Sequence, residues 1–89
     1  MQTKAITIIN KLGLHARAAA RFVQLASGFD CEINVSHSGK KVSGKSIMGI
    51  MMLAAAKGTC IEISTAGADE VEAIQQIEEL ILDKFGENE

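Results

Sequence analysis

The chain has 89 residues, 47% of them hydrophobic, and its only aromatic residues are three Phe. That length suits one domain spanning 1–89 and one core, which Ile, Leu, Val, Met and Ala must fill. A formal charge of −2 and the lack of Trp and Tyr argue against nucleic-acid binding. The longest apolar run, Ile47 to Ala56, falls far short of the ~20 residues of a membrane span.

Lys4 to Ile9 reads as a strand with Ile6 and Ile8 on one face. Ala16 to Ser27 reads as a helix: Ala19, Phe22, Val23 and Ala26 repeat at helical spacing, and Gly28 follows as a C-terminal cap. Cys31 to Ser36 alternates, with Cys31, Ile33 and Val35 on one face. Ser38-Gly39 turns the chain, and Lys40 to Ser43 returns as a short strand. Ser46 stands as N-cap to a short helix over Ile47 to Leu53. Thr59 to Thr65 alternates again, with Ile61 and Ile63 inward, and Gly67 ends it. Asp69 to Phe85 reads as the longest helix. Its first turn carries Asp69, Glu70 and Glu72, and its apolar stripe is Ile74, Ile77 and Ile81, helped by Val71 and Phe85. The order β-α-β-β-α-β-α, with each strand polar on one face, predicts an α+β open-faced sandwich. In it, a four-stranded antiparallel sheet is covered on one side by three helices.

His15 and Arg17 form the first candidate site. His15 lies where the strand region gives way to an Ala-rich helix, so the unpaired N–H groups and positive dipole end of that helix favour an anion beside it. Arg17 adds a forked cation, and imidazole supplies a nucleophilic nitrogen near neutrality. Gly13 permits a close approach of the backbone, and Ala16, Ala18, Ala19 and Ala20 leave the site open. No carboxylate precedes Asp30, so the local sequence holds nothing to repel a phosphate. The plainer reading is a histidine that begins a helix and bonds a nearby carbonyl.

Ser46 by itself reads as an N-cap. In the helix after it, Ile50 and Leu53 can face the sheet, which leaves Ile47, Met48 and Met51 on the open side. His37 reads as a solvated turn residue, and Lys40, Lys41 and Lys45 as a solvated basic face able to steer an acidic partner. Cys31 and Cys60 fit neither a CxxC nor a zinc spacing and are expected as two buried thiols, with no metal bound. The N-terminus lacks the charged and apolar regions of a signal peptide.

Asn10 to Ala19 resembles the active-site segment of the HPr phosphocarrier proteins of the bacterial phosphoenolpyruvate-dependent phosphotransferase system. Gly44-Lys45-Ser46-Ile47-Met48-Gly49-Ile50-Met51-Met52-Leu53-Ala54 resembles the family's regulatory-serine region, and the likeness covers nearly the whole chain. The resemblance implies the same sandwich fold. It implies that His15 accepts a phosphoryl group from phosphorylated enzyme I and passes it to enzyme IIA domains, with Arg17 balancing charge. It also implies a regulatory phosphorylation of Ser46 by a dedicated serine kinase/phosphorylase. Ala20, Arg21 and Gln24 would join Ile47, Met48 and Met51 in a docking face around His15. Such a protein is a carrier, not an enzyme. It is expected to be monomeric, cytoplasmic and free of cofactors. One departure is Ala18, where the family usually has proline; alanine keeps the helix but alters how rigidly the site is held. The rival within the family is the nitrogen-related branch. The rival outside it is a small α+β binding module such as a metal chaperone, against which the missing CxxC speaks.

Overall fold

The computed structural model describes residues 1–89. The elements run β1 (Gln2–Thr7), α1 (Ala16–Ala26), β2 (Glu32–His37), β3 (Lys40–Ser43), α2 (Ile47–Met52), β4 (Cys60–Ala66) and α3 (Glu70–Leu82), followed by a 3-10 turn over Lys84–Gly86. The strands form one antiparallel sheet in the order β1-β4-β2-β3. The α+β sandwich read from the alternation is the fold. His37 pairs with Lys40 across a two-residue hairpin, where Ser38 and Gly39 both take positive φ, 50° and 80°. That is the type I′ geometry that matches strand twist.

Register sets the two faces. Ile6 lies opposite Ile61, Val35 opposite Ile63 and Ile33 opposite Thr65, all buried. The helices cover this face, and Phe22 of α1 and Ile74, Ile77 and Ile81 of α3 complete one buried cluster with it. Ala5, Ser36 and Glu62 share the opposite, open face.

Four details differ from the sequence reading. Strand β1 starts at Gln2 and leaves the ladder after Thr7, although Ile8 still pairs outside it: its N–H donates to Thr59 O at 2.9 Å, and its carbonyl accepts from Gly58 at 2.7 Å. Cys60 is exposed, because inward Ile61 and Ile63 force it by parity onto the open face. Val71 is 51% exposed and does not join the α3 stripe; Ala73 does. Helix α3 stops at Leu82, and Phe85 reaches the core from outside it, with Lys84 and Phe85 both left-handed at φ 57° and 56°.

Asp69 does not cap its own helix. Its carboxylate accepts from the N–H groups of Asp30 (2.8 Å) and Cys31 (2.9 Å) and so ties the α3 entry to the start of β2. The Asp30 N–H is the main reason that Asp69 ionises below the usual carboxylate range. Glu70 does so chiefly because it bonds the Met1 ammonium, 2.7 Å away. Burial beside Asp69 pushes the Cys31 thiol up to about 11, which leaves it protonated and unreactive at neutral pH. Carboxylates depressed in the folded state stabilise it above their unfolded pKa of ~4 and lose that contribution as pH falls through the lower folded value. Melting temperature is therefore expected to hold between pH 7 and pH 5 and to fall below pH 4, with a shallower fall in Asp69→Asn. The same acid profile in both proteins would remove this role for Asp69.

Candidate functional site

His15 is the N-cap of α1, with extended backbone (φ −74°, ψ 178°). Its Nδ1 accepts the Arg17 N–H at 3.3 Å, and its Nε2 lies 2.5 Å from Glu87 Oε2. A ring nitrogen that accepts a backbone N–H carries no proton of its own. In the neutral ring this network puts the proton on Nε2, which donates it to Glu87.

A tight loop sets the ring in place. The buried Asn10 side chain donates to Gly13 O (2.9 Å) and to Glu87 Oε1 (2.8 Å). Gly13 turns at φ +67°, and the next N–H, that of Leu14, donates to Ala55 O at 2.8 Å. Leu14 is buried, so the loop is pinned immediately before the histidine. The Glu87 carboxyl is held below the usual range, first by the Asn10 amide and then by the His15 ring and the Arg17 charge.

The sequence before Asp30 holds no carboxylate, but the fold brings a distant one to the ring. Glu87 comes from 72 residues away, and no local sequence signal announces it. It is carried there by the turn after α3. The Glu87 N–H donates to Lys84 O at 2.9 Å, and the Arg21 guanidinium donates to Phe85 O. The tail beyond stays on the loop, with the Lys11 N–H donating to Glu89 O at 2.5 Å. Beside the ring, Lys11, Leu12, Arg17, Glu87, Asn88 and Glu89 line an open groove of about 380 Å³.

The remaining predicted residues fall into three groups. Ser46 caps α2, its Oγ accepting the Gly49 N–H at 3.1 Å. Ile50 and Leu53 are buried while Ile47, Met48 and Met51 are exposed, as their spacing predicts, and Ala20 and Gln24 are exposed on α1 beside that helix. Arg21 also reaches the surface, but its guanidinium is anchored to the C-terminal turn. Met52 and Leu12 are among the exposed apolar residues that the sequence did not single out. Met52 follows Met48 by one helical turn and was legible; Leu12 sits in a loop without periodicity.

His37 sits at the hairpin with its Nε2 3.1 Å from Ser38 Oγ, and the Lys45 ammonium donates to Phe29 O at 2.7 Å. No three His, Cys, Asp or Glu side chains converge to hold a metal ion. No helix is long and apolar enough to cross a membrane.

Residues 2–83 match the family model described as the PTS HPr component phosphorylation site. The chain is 57% identical to a phosphocarrier protein HPr of Neisseria meningitidis over 89 residues, the full length of both. It superposes on a crystal structure of HPr-C-His from Thermoanaerobacter tengcongensis with a TM-score of 0.96 at 50% identity, covering all of both chains. A crystal structure of an HPr dimer from the same organism matches with a TM-score of 0.79 at 52% identity, over 98% of this chain and 100% of that one.

Proposed function

Starting from a chain that belongs to the HPr phosphocarrier family of the phosphotransferase system, and so carries phosphoryl groups without catalysing a turnover of its own, we propose that His15 Nδ1 is the phosphoryl acceptor. One observation carries the reading: Nδ1 accepts the Arg17 N–H at the mouth of α1 while Nε2 lies against the Glu87 carboxylate, an arrangement in which a neutral ring carries its proton on Nε2. In the transfer, the Arg17 N–H releases Nδ1 and turns to a phosphoryl oxygen, and the freed lone pair of Nδ1 forms the new N–P bond. The P–N bond to the donor histidine of enzyme I breaks, and its electron pair returns to the donor ring. The N–H groups of the first turn of α1 and the Arg17 guanidinium offset charge on the phosphoryl oxygens. Delivery to an enzyme IIA histidine repeats the step in reverse. The task is positioning and charge balance, since no covalent chemistry beyond the one bond is needed. Ala18 is buried in the first helical turn, a position where proline and alanine are both tolerated.

Incubation with phosphoenolpyruvate and a catalytic amount of enzyme I tests the reading. Intact mass is expected to show one acid-labile phosphoryl adduct on the wild type and none on His15→Ala. A folded wild type without the adduct would sink it.

The exposed Ile47, Met48 and Met51 of α2, with Ala20, Gln24 and Arg21 of α1, support a docking face shared by enzyme I and enzyme IIA domains. A phosphoryl group on Ser46 would add about two negative charges to this face. The α2 N-terminus tolerates it locally, while an acidic partner is repelled. The carrier would act as a monomer in the cytoplasm. Ser46→Asp and Met48→Glu are each expected to lower kcat/KM for phosphorylation by enzyme I about tenfold or more, the scale of one lost central contact. Unchanged values in both would remove the docking face.

A further inference from the structure

We propose that Glu87 is a positioning residue for phosphoryl transfer, holding the His15 ring in the tautomer that presents Nδ1 and facing the charge that the ring gains. The inference rests on the phosphocarrier reading and names a part of its machinery.

A carboxylate beside a phosphate site is at first sight a liability. Its placement resolves the conflict. Glu87 Oε2 meets Nε2, and the two nitrogens of an imidazole point away from each other, so the carboxylate and an incoming phosphoryl group take opposite edges of the ring. Glu87 is also fixed from behind. Its other oxygen accepts from Asn10, whose side chain is fully buried and bonds Gly13 O as well. One buried amide thus links the loop before His15 to the residue that orients the ring.

The proton balance explains what this provides. A neutral imidazole has one N–H. With Glu87 ionised, that proton sits on Nε2 and Nδ1 carries the lone pair. When Nδ1 bonds phosphorus no proton is lost, and the ring becomes a cation that keeps its Nε2–H. The cation then faces a carboxylate across a bond it already made. When the phosphoryl group leaves for an acceptor, the electron pair of the N–P bond returns to Nδ1 and the ring is neutral again. No proton has to move in either direction. An acid oriented in this way behind a histidine is the logic of the serine-protease triad, here with the histidine itself as the nucleophile.

The backbone supports the same assignment. Lys84 and Phe85 both take left-handed φ, a strained choice for two consecutive residues other than glycine. Such strain persists where surrounding contacts over-determine it. Burial of Phe85 and the Arg21 bond to its carbonyl do so here, and the product of the turn is the delivery of Glu87 to His15.

The test combines ring spectra with transfer rates. ¹⁵N-histidine-labelled wild type at about pH 8.5, above the imidazole range, is expected to show His15 with Nε2 protonated and Nδ1 at the shift of an unprotonated nitrogen. In Glu87→Ala the Nε2–H should lose its downfield hydrogen-bonded shift, and the two nitrogen shifts should move part-way toward each other, because only the Arg17 N–H is left to hold the tautomer. Single-turnover phosphorylation by phosphorylated enzyme I should slow about tenfold, the scale of one charge-assisted hydrogen bond. Glu87→Gln, which keeps an acceptor oxygen but not the charge, should fall between and guards against a simple folding defect. If Glu87→Ala leaves either the tautomer or the rate at its wild-type value, the proposal is overturned. A wild type that accepts no phosphoryl group would instead defeat the carrier reading, and the spectra would still judge Glu87.

Discussion

Gly13→Ala is expected to cost the fold about 3 kcal/mol and to displace His15 with it. At φ +67° a side chain adds roughly 1–2 kcal/mol of left-handed strain. The larger problem is space: a Cβ here would lie 2.5 Å from Ala55 O and 2.8 Å from Ala56 Cα. Both are backbone atoms, and Ala55 O is the acceptor that pins Leu14. Making room breaks that bond, which is worth roughly another 1–2 kcal/mol. Gly39→Ala is the control. Its φ is +80° but nothing lies within 4 Å of the added carbon, so it should cost only the strain. Urea denaturation should show a clear drop in midpoint for Gly13→Ala and a small one for Gly39→Ala, at constant slope. Equal drops would mean that the approach of Gly13 to residues 55 and 56 is not what the loop requires.

Arg17→Ala is expected to slow phosphoryl transfer by about 10² to 10³, the usual loss for one preorganised donor at a developing anion, while stability stays within about 0.5 kcal/mol of wild type, as for an exposed side chain. The substitution spares the Arg17 N–H that bonds Nδ1, so the ring should keep its orientation and the loss should fall on charge balance alone. Arg17→Lys should recover part of the rate, since it restores the charge without the fork. Rapid-quench kinetics from phosphorylated enzyme I would show this. A rate for Arg17→Ala within threefold of wild type would mean that the helix N–H groups suffice.

The sequence made the sheet and helices legible because each writes its period into the chain. Ile61 and Ile63 alternate, and Ala19, Phe22 and Ala26 recur at helical spacing. The places of His15 and Ser46 at helix starts were legible because a helix start is a local event with local signals, and the structure caps α1 and α2 there. The exposure of Cys60 followed from the same alternation as Ile61 but lost out to the general tendency of cysteine to be buried. Glu87 was illegible for a different reason. Its role depends on where α3 stops, and that stop carries no glycine at Lys84 or Phe85 to announce a left-handed turn. Helical periodicity even favours running on to Phe85, because Phe85 is apolar and buried either way. Only tertiary closure distinguishes the two paths.

The partnership of residues 15 and 87 has a consequence for how the molecule is made. Strand β1 has no ladder partner other than β4, and the histidine ring has its acid only when the last turn has closed. Residues 15 and 17 are therefore synthesised well before the segment that meets them, and the contacts around the ring exist only once residues 84–89 have folded back onto the loop before α1.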